Sequence, residues 1–164
     1  KQNHKHMKNS EAIIEVLNDL IEINNDRIVG YEKAAADIDP DEGSLKTLFH
    51  QLSDESRELK DVLSKKVEVL GGDPVVDKTT GIGKIYRAWM QAKVTFSGND
   101  AHSILSSCEF GEDAAQRAYS DAVDASDNFP PDVKQVIENQ KELLKMSHNL
   151  IRNQRDQFKV TVSH

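Results

Sequence analysis

Four polar residues interrupt the apolar stripes of predicted helices, and their chemistry could bind a metal ion. Asn24, Glu55, Glu112 and His148 each stand three, four or seven residues from apolar neighbours, a spacing that places them on buried helix faces. A buried carboxylate without a partner costs several kcal/mol, so a compensating group is required. Carboxylate oxygen and imidazole nitrogen can hold iron or manganese, and bundle-core di-metal sites are built this way.

A hydrogen-bonded network without metal is the alternative. Tyr31 and Tyr119 each follow a polar stripe residue by seven positions, which puts their hydroxyls on the same faces. The six side chains could then satisfy one another: Asn24, Tyr31, Glu55, Glu112, Tyr119 and His148. The spacing alone leaves both alternatives open.

The elements that must position these residues are four long amphipathic helices. We predict the first from Ser10 to about residue 38, the third from Asn99 or Asp100, and the fourth from Asp132 to about Phe158. For the second helix we expect Asp39 as the N-cap, Pro40 at the first helical position and Glu42 in a capping box. Gly71 and Gly72 are expected to end the second helix. Residues 10–158 then form one domain, and we expect residues 1–9 and 159–164 to be terminal tails, the first of them disordered.

The long connection between the second and third helices determines the predicted topology. Residues 71–99 contain apolar positions with helical spacing, so they predict a crossover that carries a short helix. Two short turns and one long crossover are typical of a four-helix bundle in which the second and third helices run parallel. The predicted fold class is therefore all-α.

Composition excludes several classes of function. The chain has 164 residues, a formal net charge of -7 and no basic patch, so we expect no nucleic-acid partner. No apolar run approaches the roughly 18 residues needed to span a bilayer, and we expect a cytoplasmic protein with no membrane partner. A single cysteine, Cys108, excludes an internal disulfide framework.

Longer strings of the sequence resemble a known family. They cover residues 17–34 (LNDLIEINNDRIVGYEKA), 55–63 (ESRELKDVL), 84–100 (KIYRAWMQAKVTFSGND) and 106–119 (SSCEFGEDAAQRAY), and His148 follows late in the chain. These strings are similar to an uncharacterised bacterial group of four-helix-bundle proteins within the ferritin-like superfamily, a domain of unknown function. The resemblance implies a ferritin-like bundle with a crossover between helices 2 and 3.

The resemblance also implies positions for metal ligands. The wider superfamily carries Glu on the first helix, ExxH on the second, Glu on the third and ExxH on the fourth. Glu112 matches the third-helix position, whereas Asn24 stands at the first, Glu55 and Glu58 at the second, and Lys145 and His148 at the fourth. The implied ligand set is therefore altered: Glu55, Glu58, Glu112 and His148 as metal ligands, with Asn24, Tyr31, Glu109 and Tyr119 around them.

Two functions follow from these alternatives. In the first, an iron or manganese site, altered or vestigial, reacts with oxygen or peroxide. In the second, the core holds no metal, and the protein acts as a structural or interaction module, stress-associated by analogy, through its surface or as a homo-oligomer.

Overall fold

The protein forms four long helices in a computed structural model, which describes residues 2–76, 87, 91 and 100–159. The helices are α1 (Gln2–Asp37), α2 (Gly43–Val69), α3 (Ala101–Ala125) and α4 (Pro131–Lys159). The described residues contain no strand, which confirms the all-α prediction. The short helix predicted within the crossover lies outside the described residues. None of the described helices has the length and apolar character to cross a membrane.

Side-chain contacts establish how the helices run. Hydrogen bonds join Arg27 to Glu112 and Asn24 to Tyr119, so α1 and α3 are antiparallel. Contacts of α2 with α4, between Glu55 and Ser147 and between Lys66 and Asp132, show that these two helices are also antiparallel. Because a short turn makes α2 antiparallel to α1, α2 and α3 run parallel. The end of α2 and the start of α3 therefore lie at opposite ends of the bundle.

The core lies along the apolar stripe of each helix. Leu17, Leu20 and Ile21 of α1 are buried against Phe49 and Leu63 of α2 and the other core residues. The remaining two helices contribute further buried side chains: Ile104, Leu105, Ala115, Val133, Ile137, Leu144 and Ile151. Each fully buried large apolar side chain stabilises the fold by about 1.5–3 kcal/mol relative to exposure. Local periodicity thus predicted the buried faces.

The helix starts differ in part from those predicted. Helix α1 begins at Gln2 rather than Ser10, because residues 2–9 contain neither proline nor glycine to stop a helix. Helix α2 begins at Gly43 rather than at Pro40, with Glu42 as its N-cap and no side-chain capping hydrogen bond. The Asp39 carboxylate instead accepts the N–H of Asp41 at 2.9 Å within the α1–α2 turn. At α3, Asp100 is the N-cap as predicted, and its carboxylate accepts the N–H of Ser103 at 3.2 Å.

The end of α2 shows why two glycines stand there. Gly71 has φ of 85°, a left-handed conformation that side chains with a Cβ adopt at a cost. The Gly72 N–H donates to Val67 O at 2.9 Å and the Gly71 N–H to Glu68 O at 2.9 Å. This pair of bonds is a Schellman motif, which satisfies two terminal carbonyls and turns the chain toward the crossover.

We expect Gly71→Ala to lower the free energy of unfolding by about 1 kcal/mol, because alanine is strained at positive φ. Urea denaturation followed by circular dichroism measures the change. Gly43→Ala is the matched control, since a Cβ at Gly43 meets nothing within 4 Å and its φ is not positive. A loss of equal size in both variants would contradict the assignment of strain to Gly71.

Candidate functional site

A buried ion pair between α1 and α3 lies at the centre of the bundle. Arg27 and Glu112 are both buried, and their side chains meet in a two-pronged contact. Arg27 Nε donates to Glu112 Oε1 at 2.8 Å, and Arg27 Nη2 donates to Glu112 Oε2 at 3.0 Å. This bidentate geometry is the strongest form of the arginine–carboxylate interaction.

Helices α2 and α4 complete the environment of the guanidinium group. Arg27 Nη1 donates to the Ser56 hydroxyl, and Arg27 Nη2 also lies 3.2 Å from Glu55 Oε1. The Ser147 hydroxyl of α4 donates to the same Glu55 oxygen at 2.8 Å. All three guanidinium nitrogens therefore have acceptors. The arginine joins α1 directly to α2 and α3, and α4 is connected to it through Ser147 and Glu55.

The surroundings keep Arg27 charged. Burial alone would lower the pKa of the guanidinium, but Glu112, Tyr31 and Glu55 outweigh it, and the net pKa lies above the ordinary arginine value. The Tyr31 ring lies under the cation, with 5.3 Å from Arg27 Cζ to the ring centroid. Phe49 stacks on Tyr31, with 6.1 Å between ring centroids. The positive charge is thus held by two carboxylates and an aromatic face.

A second polar layer adjoins the ion pair along the bundle. Asn24 Nδ2 donates to the Tyr119 hydroxyl and to Leu20 O, both at 2.9 Å. The Tyr119 hydroxyl donates to Gln140 Oε1 at 2.7 Å, and Gln140 Nε2 donates to Leu59 O at 3.1 Å. This chain of hydrogen bonds again joins all four helices, because its members come from α1, α3, α4 and α2.

Both buried tyrosines resist ionisation. Burial raises the pKa of Tyr119 well above its ordinary value, although the hydrogen bond from Asn24 opposes the shift. Burial and then the nearby Glu112 carboxylate raise the pKa of Tyr31. Both phenols therefore stay neutral over the physiological range.

Of the four residues predicted as metal ligands, only Glu55 and Glu112 share a contact. Glu55 and Glu112 share Arg27, whereas Glu58 is exposed on α2. His148 Nε2 lies 2.6 Å from Asp113 Oδ1 at the α3–α4 seam. Within the described ranges, no group of three or more His, Cys, Asp and Glu residues is arranged to hold a metal ion. The assignment of these residues as ligands stays a prediction.

The predicted surrounding residues also divide into two sets. Asn24, Tyr31 and Tyr119 belong to the two polar layers. Glu109 lies away from them and pairs with Arg155 near the end of α4.

Arg27 is the site residue that the sequence reasoning missed. It follows Asn24 by three residues and precedes Tyr31 by four, so the periodicity that placed those two residues in the core also places Arg27 there. Arginine is mostly exposed in proteins, and its residue type therefore argued against its position. A search of the stripes for cations as well as carboxylates would have placed Arg27 on the buried face of α1.

A comparison of the sequence with models of protein families gives a match over most of the chain. Residues 12–125 match the model of a family described as Domain of unknown function (DUF2383). The chain belongs to this family. The matched range of the DUF2383 domain contains Arg27, Glu55 and Glu112, and ends before α4 contributes Gln140 and Ser147.

Solved structures share the fold of this DUF2383 protein. A mutant of Mycobacterium smegmatis Dps1 superposes with a TM-score of 0.76 at 13% identity, covering 89% of this chain and 96% of the other. A chain described among ferritin-like, diiron-carboxylate proteins from Bacillus anthracis str. Ames gives 0.65 at 16% identity, covering 89% and 94%. No curated protein gives a significant match. At these identities the likeness shows a ferritin-like fold.

We expect Arg27→Met to lower the free energy of unfolding by about 3–5 kcal/mol, because it leaves the Glu112 carboxylate buried without its partner. The double variant Arg27→Met with Glu112→Leu should lose much less than the sum of the single variants, since two apolar groups replace the pair. Denaturant unfolding of the four proteins gives the coupling free energy.

The exposed pair of Lys66 with Asp132 is the matched control for that double-mutant cycle. Its coupling should not exceed about 1 kcal/mol, because solvent screens surface ion pairs. Additive losses for Arg27 and Glu112 would contradict a strong buried pair.

The raised pKa values of Tyr31 and Tyr119 predict loss of stability in alkali. Above pH of about 10 the unfolded tyrosines ionise while the folded ones do not, so the unfolded state binds fewer protons. Each tyrosine should then lower the free energy of unfolding by up to about 1.4 kcal/mol per pH unit. Below pH of about 10 the tyrosines are neutral in both states, and their contribution to the free energy of unfolding is fully present.

Urea denaturation at a series of pH values from 8 to about 11 measures this slope. Tyr119→Phe removes one titrating group, so its slope above pH 10 should be shallower than that of the unchanged protein. Equal slopes for the two proteins would show that Tyr119 ionises alike in both states.

Proposed function

We propose that this protein is a metal-independent ferritin-like module that acts through its surface rather than through a reaction in its core. One observation carries the proposal: the guanidinium group of Arg27 holds the two carboxylates on which a core metal site would depend, Glu55 and Glu112. In this proposal the arginine side chain supplies the positive charge that a metal ion would otherwise supply.

The donor set does not fit iron or manganese. Both Glu112 oxygens accept guanidinium N–H groups, and Glu55 Oε1 accepts from Arg27 and Ser147. A divalent ion about 4 Å from the guanidinium carbon would be repelled by roughly 8 kcal/mol at an effective dielectric constant of about 20. Metal uptake would therefore require the Arg27 side chain to move away from Glu55 and Glu112. The guanidinium group would then be a buried cation without partners.

The other predicted ligands do not change this conclusion. His148 contacts Asp113 at 2.6 Å instead of Glu55 or Glu112, and Glu58 is exposed. At the position implied for a first-helix glutamate, the Asn24 amide donates to Tyr119 and to the Leu20 carbonyl. The diiron-carboxylate description belongs to the Bacillus anthracis chain, and the shared fold does not carry that chemistry to this donor set.

Metal analysis of untagged protein tests the proposal. After incubation with ferrous or manganous ions and gel filtration, we expect substoichiometric metal and an unchanged melting temperature. A bound ion at about 100 times its Kd would stabilise the fold by about 2.7 kcal/mol, a shift that thermal unfolding detects. Stoichiometric metal that disappears in Glu112→Gln would overturn the proposal.

Arginine variants show whether Arg27 is the obstacle to metal binding. Arg27→Ala leaves Glu55 and Glu112 without their cation, so added metal should stabilise this variant more than the unchanged protein. Arg57→Ala is the matched control, because Arg57 pairs with Glu32 and Asp54 on the exposed side of α2. An equal response in both variants would exclude a role for Arg27 in blocking metal.

A further inference from the structure

Helix α4 carries a row of exposed apolar side chains beside its seam with α2. Leu143, Met146 and Leu150 are 43%, 63% and 41% exposed. Leu143 lies three residues after Gln140 and four before Ser147, two of the residues through which α4 bonds to α2. Val62 of α2, seven residues after the Glu55 that bonds to Ser147, is 45% exposed. We call Leu143, Met146 and Leu150 the α4 stripe.

The spacing of the α4 stripe is typical of a contact between two helices. It belongs to a longer set separated alternately by three and four residues: Val136, Asn139, Leu143, Met146, Leu150, Asn153 and Gln157. A mean repeat of 3.5 residues keeps one face of a helix against a partner helix over several turns. The set from 136 to 157 extends for about 32 Å along the helix.

A neighbouring set with the same alternation already forms the bundle core. Its members are Val133, Ile137, Gln140, Leu144, Ser147 and Ile151, all buried. Helix α4 therefore has two contact faces, and its own bundle covers the first. Three large apolar residues on the second face remain in contact with solvent, and an exposed apolar patch of this kind marks a site of protein–protein contact.

We propose that the α4 stripe binds the α4 stripe of a second copy of this chain, with the two helices antiparallel about a two-fold axis near Met146. This inference rests on the proposed function, because it names the partner of a module that acts through its surface. A two-fold interface requires a patch that is complementary to itself. The stripe meets this condition, since leucines stand three residues before and four residues after Met146.

The flanking residues extend the symmetry. Asn139 and Asn153 lie seven residues on either side of Met146, and Gln135 and Gln157 lie eleven on either side. An antiparallel pair would place Leu143 of one copy beside Leu150 of the other, and amide groups beside amide groups. Amides both donate and accept hydrogen bonds, so identical residues can pair across the axis.

Charge favours a second copy at this face over other faces. Two copies that each carry a net charge of -7 repel, and their contact must avoid acidic surface. None of the seven residues that repeat every three or four positions between Val136 and Gln157 is charged, as expected for the centre of an interface. Glu142 borders the stripe, and the proposed register brings it near the Asn149 side chain of the other copy, a potential hydrogen-bond donor.

Light scattering after gel filtration, at a series of protein concentrations in EDTA, tests the pairing. We expect a monomer–dimer equilibrium that high salt does not weaken, and a monomer for Met146→Lys at the same concentrations. Val29→Lys is the matched control, because Val29 is an apolar residue of α1 with 42% exposure away from the stripe. It should dimerise like the unchanged chain.

Cysteine cross-linking tests the register. Met146→Cys should form a disulfide between copies under mild oxidation, because position 146 lies next to its own mate near the axis. Asn139→Cys should not, since fourteen residues of helix, about 21 Å, separate position 139 from its mate. Cys108 is buried, so the unchanged protein is the background for both variants.

Three outcomes would overturn the pairing: a monomer at every concentration, a dimer that Met146→Lys leaves intact, or equal cross-linking of both cysteine variants. Measurements in EDTA report on the surface alone, whereas metal uptake reports on the core. A chain that binds stoichiometric metal and still dimerises through Met146 would overturn the proposed function and support the pairing.

Discussion

The buried pair of Arg27 and Glu112 is the constraint on which the rest of the bundle depends. An arginine removed from water is tolerated only when its donors find acceptors, and here α1, α2 and α3 all supply groups to the contact. Sliding α1 along α3 by one turn would separate the two charges inside the bundle. We interpret the pair as a device that sets the register of the helices, because apolar residues of similar volume would supply comparable or greater stability without this restriction.

The second polar layer has the same effect by weaker means. Asn24, Tyr119 and Gln140 form a hydrogen-bonded chain from α1 through α3 and α4 to the backbone of α2. Together the two layers place polar groups at the middle of the bundle and satisfy most of them internally. The ferritin-like fold directs four helix faces toward one centre, and the side chains on those faces decide whether that centre is a metal site or an ion pair.

The proposed function places the activity of this protein at its surface. Helix α4 has one contact face inside the bundle and a second, marked by Leu143, Met146 and Leu150, outside it. The two faces lie side by side on one helix, so a partner at the second would rest directly on the α2–α4 seam. Ser147 bonds to Glu55 at this seam, and Glu55 is a direct contact of Arg27. The proposed contact between copies would thus adjoin the packing around the ion pair.

The sequence by itself determined the four helices, their breaks and their buried faces. These features follow from local rules: apolar periodicity, the Asp100 cap and the glycines that end α2. Periodicity also placed Asn24, Glu55, Glu112 and Tyr119 on inward faces. Only the tertiary structure decided what those residues meet, because a partner across the bundle depends on the axial register of helices distant in sequence. The Glu55 and Glu112 carboxylates both accept hydrogen bonds from Arg27. His148 contacts Asp113 at the α3–α4 seam instead of either glutamate. The position of a residue on one helix fixes its face, but not which neighbouring helix its side chain contacts.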